Sequence, residues 1–107
     1  MREQERASAL AELELAERAR DGIAAELQRV ERRLIEIDAG AGPPPPGTVA
    51  SAGALAAGSR QHSRDRERTA RLENERSEII VRLGDAEVAV ERAREAVANA
   101  ARALRKV

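Results

Sequence analysis

Aromatic side chains are absent from this sequence: its 107 residues include no Phe, Tyr or Trp. Because aromatic residues supply much of the buried area of a globular core, their absence argues against a compact globular fold. Cysteine is absent too, which excludes disulfide bonds and thiolate chemistry. No apolar run approaches the roughly 20 residues that span a bilayer, and no apolar stretch follows the charged N-terminus. We therefore expect a cytoplasmic protein without a membrane span or a signal peptide.

Side chains that carry out catalysis or bind metals are scarce. The only histidine, His62, lies beside Ser63 and near Asp65, which together offer a base, a nucleophile and a carboxylate. On a helix these three positions do not converge as a catalytic triad must, and two ligands are too few for a metal site. We expect no enzyme activity, no catalytic residue, no metal and no cofactor.

The residues that do dominate are Ala, Arg, Glu, Leu and Val, a composition typical of long helices and coiled coils. The net charge is zero, from 19 basic and 19 acidic residues. Residues 1–38 carry 7 basic and 10 acidic side chains, whereas residues 60–107 carry 12 basic and 9 acidic ones. Two such helices side by side attract weakly. The abundance of Arg and Ala indicates GC-rich coding and a bacterial source.

A heptad pattern of apolar residues is the strongest signal in the chain. Apolar side chains recur at alternating steps of four and three, which is typical of a coiled coil. We call these residues the seam. In the last segment they are Ile79, Leu83, Ala86, Val90, Ala93, Val97, Ala100, Leu104 and Val107. In the first segment they are Ile23, Leu27, Val30, Leu34 and Ile37, and the register extends backwards through Arg20, Ala16, Leu13 and Ala9.

These patterns predict an all-α fold with two long helices in an antiparallel coiled-coil hairpin. The first helix is expected over residues 1–38 and the second over residues 60–107. A Pro/Gly/Ala-rich loop over residues 39–59 connects them in a single domain, because Gly40 and Pro43 form a helix stop signal. Pro43–Pro46 favour polyproline II, either as a spacer or as a ligand for SH3-like or WW-like partners.

The two seams differ in position along the expected hairpin. A tight turn that brings Asp38 close to Arg60 leaves the segment from Val97 to Val107 overhanging beyond Met1. Alignment of the seams instead makes residues 39–71 a protruding arm. Since neither register covers the whole seam, we expect a homodimer or higher oligomer, as a four-helix assembly or an extended coiled coil, or else a second helical protein as partner.

Association with nucleic acid is an alternative function, carried by the segment Arg60–Arg76. This segment has six Arg with four interleaved acidic residues. Carboxylates within such a patch oppose the counterion release that drives nucleic-acid binding, and no aromatic side chain is present for base stacking. Nucleic acid is therefore the weaker alternative to a non-catalytic protein–protein interaction module.

The stretch RLENERSEIIVRLGDAEVAVERAREAVANAARALRKV, from Arg71 to Val107, resembles the second helix of known stalk proteins. These are the small coiled-coil stalk proteins of flagellar and type III secretion export machinery. They are helical hairpins that sit with the export ATPase. The resemblance covers about a third of the chain, and the loop Pro43–Pro46 has no counterpart in that family. It implies a second alternative function, which is docking onto a ring ATPase or onto its substrates.

Overall fold

Two helices contain every residue that the computed structural model describes, namely residues 2–40 and 52–105. Helix α1 spans Arg2–Gly40 and has 39 residues. Helix α2 spans Ala52–Arg105 and has 54 residues. The predicted all-α helical hairpin is confirmed.

Helix α1 continues without interruption through Asp21 and Gly22, although glycine has a low helix propensity. Glu3 and Glu5 lie in its first turn, where carboxylates interact favourably with the positive end of the helix dipole. Gly22 is exposed, and a Cβ atom built at this position meets nothing within 4 Å. Glycine here therefore reflects no close approach of another segment, and the surrounding good helix formers outweigh its low propensity.

Both inner helix ends differ from the boundaries expected from the sequence. Helix α1 continues to Gly40 rather than ending at residue 38, and α2 begins at Ala52 rather than at Arg60. The sequence over residues 52–59 is AGALAAGS, and Ala has the highest intrinsic helix propensity. The composition that suggested a loop therefore also allows α2 to begin eight residues earlier. At its other end, Arg102 and Arg105 lie in the last turn, where cations complement the dipole.

Two sequence predictions fall outside the described residues. The proline run Pro43–Pro46, predicted as a spacer or as a ligand, is one of them. Val107, the last predicted seam residue, is the other.

The chain divides into two compact units, each made from part of α1 and part of α2. Unit 1 comprises Met1–Leu27 with Ile79–Val107, and unit 2 comprises Gln28–Glu78. In unit 1, the Arg2 guanidinium donates a hydrogen bond of 2.9 Å to the carbonyl oxygen of Ala103. In the same unit, Arg82 donates to Glu26 at 3.0 Å. Residues early in α1 thus pair with residues late in α2, so the two segments run antiparallel.

Unit 2 has the same antiparallel arrangement. Arg76 donates to Glu31 across the helix pair, with an Nε–Oε1 distance of 3.3 Å. The tight register, with Asp38 beside Arg60, would instead place Glu31 opposite Glu67. That register is therefore wrong.

The seam-aligned register, with Ile37 against Leu72, is within two residues of the observed contact between Glu31 and Arg76. Of the arm that this register predicts over residues 39–71, residues 62–69 line a cavity together with α1.

The predicted overhang of Val97–Val107 is also wrong for its described part. The contact between Arg2 and Ala103 shows that α1 accompanies α2 through this segment. The physical reason lies in the apolar residues: the observed register buries Ala9, Ile79 and Val90 within unit 1. A tight turn would leave part of this apolar surface in water, at a cost of about 25 cal/mol per Å².

Candidate interaction surfaces

The predicted seam lies along the contact between α1 and α2 in unit 1. Ile79 and Val90 are buried, with 3% and 1% of their surface exposed. The other described seam residues of this unit are half-buried: Ile23, Leu27, Leu83, Ala86, Ala93, Val97, Ala100 and Leu104. In the backward extension Ala9 is buried, whereas Leu13 and Ala16 are half-buried. Two helices therefore bury only the centre of this face, and most seam residues keep part of their surface in water.

Arg20 occupies a seam position without disrupting α1. Its side chain is 27% exposed, and its Nε and Nη2 atoms both donate to Oδ1 of Asp21, at 3.2 and 3.1 Å. The aliphatic part of such a side chain covers apolar surface while the guanidinium reaches a carboxylate near water. The charged residue at this seam position is thus accommodated by the neighbouring carboxylate.

The seam in unit 2 has a different character on its two sides. On α1, Val30 is buried at 4% exposure, and Leu34 and Ile37 are half-buried. On α2, the half-buried positions are Asp65, Thr69 and Leu72. The sequence analysis did not assign these three to the seam, although steps of three and four counted back from Ile79 reach them. Extending the heptad register along α2 regardless of residue type would have identified these three positions.

Two cavities flank Ile37 in unit 2 as a result of this mismatch. One, of about 310 Å³, is lined by residues that include Ile37, Gly40 and Gln61. The other, of about 260 Å³, is lined by Leu34, Ile37, Asp38, His62, Asp65, Arg66, Thr69 and Glu73. The polar side chains of α2 leave the space beside Leu34 and Ile37 partly unfilled.

One edge of the helix pair in unit 1 is closed by an ion pair. Glu26 and Arg82 directly precede the seam residues Leu27 and Leu83, and their side chains meet at 3.0 Å. Both side chains remain substantially exposed, at 40% and 54%, so the pair adds at most about 1 kcal/mol. It shows that residues preceding these two seam positions meet along the same side of the contact.

The opposite edge of unit 1 exposes two large apolar side chains. Leu10 and Ile80 directly follow the buried residues Ala9 and Ile79, and one residue further is a rotation of about 100° around the helix. Both are large apolar side chains, exposed at 45% and 43%. Ala24 and Ala101 occupy equivalent positions and are half-buried. We call Leu10, Ala24, Ile80 and Ala101 the apolar edge; Glu17, Glu87 and Arg94 share this side of the unit.

Other large apolar side chains are exposed away from the helix contact. They are Leu15, Ile35, Val81 and Val88, with exposed fractions of 49% to 67%. Their heptad positions are on the outer faces of the helices, and single exposed apolar residues are common in proteins. Substitutions at these exposed positions can therefore serve as controls for substitutions at the apolar edge.

The arginine-rich segment of α2 is exposed to solvent. Arg60, Arg64, Arg66, Arg68, Arg71 and Arg76 are all exposed, and so are Glu67, Glu73 and Glu75. A further arginine from the other helix lies beside this segment. Arg33 of α1 lines a cavity of about 260 Å³ together with Arg68, Arg71 and Leu72. We call this cavity the arginine groove. Sequence reasoning missed it, because Arg33 lies in the other helix.

The three side chains that the sequence analysis rejected as a catalytic triad all keep contact with solvent in unit 2. His62 and Ser63 are exposed and Asp65 is half-buried. Within residues 2–40 and 52–105, no group of three or more His, Cys, Asp and Glu side chains could hold a metal ion. Neither helix, over its described residues, is long and apolar enough to cross a membrane.

Comparisons with protein-family models, with curated proteins and with solved structures find no match for this chain.

Proposed function

We propose that this protein is a non-catalytic interaction module whose helical hairpins associate with one another through the apolar edge and the half-buried seam of unit 1. The observation that carries the proposal is the exposure of Leu10 and Ile80 beside two buried seam residues. Helices of multi-helix bundles use the two seam positions plus one flanking position as their apolar face, which is wider than a two-helix contact requires.

The composition of this side fits a contact between helices. The half-buried Ala24 and Ala101 allow close approach, and the large Leu10 and Ile80 supply apolar area. Glu17, Glu87 and Arg94 lie along this edge between Leu10 and Ile80, and their charges of both signs can pair across a contact between two copies. In a coiled-coil dimer of hairpins, with four helices in its core, a second copy of the chain covers this face and buries its apolar side chains.

The burial of Ile80 gives an estimate of how much this contact contributes to the free energy of association. A fully buried Ile contributes about 1.5–3 kcal/mol, and 43% of its surface is still exposed in the single chain. Burial of the remainder on both copies contributes about 1–2.5 kcal/mol, which corresponds to roughly fivefold to seventyfold in the dissociation constant.

The test compares Ile80→Lys with Val88→Lys by sedimentation velocity over a range of protein concentrations. Both residues lie on α2 in unit 1, are about equally exposed at 43% and 49%, and gain the same charge. Ile80→Lys should shift association to at least about tenfold higher concentration, because a lysine at the contact loses apolar area and brings a charge into it. Val88→Lys should associate like the unaltered chain. Equal behaviour of the two variants would contradict the proposal.

Docking onto a ring ATPase, which the resemblance of Arg71–Val107 to the export stalk proteins implies, stays a second proposal. Its support is the helical hairpin, the architecture that those proteins share. Coelution of the protein with an export ATPase from the same organism, lost in Ile80→Lys and kept in Val88→Lys, would support it. Absence of coelution would contradict it and leave self-association intact.

A further inference from the structure

We infer that the arginine groove of unit 2 binds an acidic helical segment of a partner protein, separately from the apolar edge of unit 1. The groove brings together three guanidinium groups from two helices: Arg33 comes from α1, and Arg68 and Arg71 come from α2. Among the described residues that line it, Leu72 is the only apolar one, and the cavity measures about 260 Å³. It is open to solvent, since all three arginines are exposed.

The charged residues among the described lining of the groove are all basic, while Glu36 and Asp65 line the neighbouring cavity. No carboxylate lines this cavity, and no described carboxylate lies within 4.0 Å of a guanidinium nitrogen of these arginines. By contrast, Arg18, Arg82 and Arg94 of unit 1 each contact a glutamate. Three like charges around one cavity attract an anion, and guanidinium groups bind carboxylates in a paired geometry.

The spacing of the groove fits carboxylates on a helix. Arg68 and Arg71 are three residues apart on α2, and side chains at this spacing lie about 5–6 Å apart. Glutamates three or four residues apart on a partner helix have the same separation. Leu72 adds an apolar contact for the aliphatic residues that flank such glutamates.

A nucleic-acid backbone fits this surface less well. The neighbouring cavity shares Arg33 and Arg68 with the groove, but Glu36 and Asp65 also line it. A continuous run of phosphates beyond the three arginines meets these carboxylates, whereas a helix can present its charges over one turn or two. The chain also has no aromatic residue on which a base could stack.

The experiment titrates the full chain into a fluorescein-labelled synthetic helical peptide of Glu, Ala and Leu, with carboxylates on successive turns of one face, and follows anisotropy. The comparison ligands are the same peptide with Gln in place of Glu and a labelled DNA duplex. The unaltered chain should bind the acidic peptide in preference to both. The double substitution Arg33→Gln with Arg68→Gln should weaken binding by about threefold to thirtyfold, and added salt should weaken it too.

The matched control is Arg92→Gln with Arg105→Gln, which removes the same charge from exposed positions of unit 1. It should bind the acidic peptide nearly as well as the unaltered chain, and circular dichroism should show equal helix content for both double variants. Three results would overturn the inference: equal binding of the Glu and Gln peptides, equal weakening by the two double variants, or tighter binding of the DNA duplex.

Discussion

Replacement of Val90 by alanine tests the packing of unit 1 at its most buried side chain. Val90 is 1% exposed, so Val90→Ala removes the equivalent of two buried methylene groups, at about 0.8 kcal/mol each. The cavity that remains adds to this cost, and we expect a total of about 2 kcal/mol. The matched control is Val88→Ala, because Val88 lies two residues away on the same helix and is 49% exposed. Its partial loss of burial is offset by the higher helix propensity of Ala, which leaves a change within about 0.5 kcal/mol of zero.

The assay is urea denaturation of both variants and the unaltered chain, followed by far-ultraviolet circular dichroism. One protein concentration is used throughout, because association makes apparent stability depend on concentration. The midpoint should fall for Val90→Ala and stay nearly constant for Val88→Ala, with similar slopes. An equal loss in the two variants would refute the assignment of Val90 to the interior of the helix pair.

Three further substitutions test other parts of the structure. Removal of Glu26 and Arg82, singly and together by Gln substitution, should give a coupling energy of about 0.2–1 kcal/mol in urea denaturation, because the pair is exposed; no coupling would argue against the register. Gly22→Ala should stabilise α1 by about 1 kcal/mol, since nothing lies within 4 Å of the new Cβ; a loss of thermal stability would reveal a hidden contact there. Thr69→Leu should raise the melting temperature by filling the cavity beside Leu34 and Ile37, with about 1–2 kcal/mol from added apolar burial; a lower melting temperature would show that the cavity cannot accept the side chain.

The fold class was predictable because the apolar period is regular. Every described seam residue, from Ile23 to Leu104, is buried or half-buried. The helix ends near the connection were less predictable, since Ala and Gly in residues 52–59 favour opposite outcomes. The seam also continues through Asp65 and Thr69, which an apolar pattern cannot reveal.

The choice between the two registers could not be predicted, because it depends on contacts between residues far apart in sequence. The sequence left two registers open, one with a tight turn near Asp38 and one with the two seams aligned. The contact of Glu31 with Arg76 excludes the turn near Asp38 and lies within two residues of the seam-aligned alternative. The expectation of association therefore loses its original reason, the overhanging C-terminal seam, and now depends on Leu10 and Ile80. The arginine groove likewise requires the pairing of Arg33 with α2.

Sedimentation velocity of the unaltered chain tests the proposed association most directly. With rising concentration, the protein should sediment as a species of at least twice the chain mass of 11.6 kDa. This association should persist at high salt, because its apolar contacts are not screened. A single species of 11.6 kDa at all concentrations up to tens of micromolar would contradict the account.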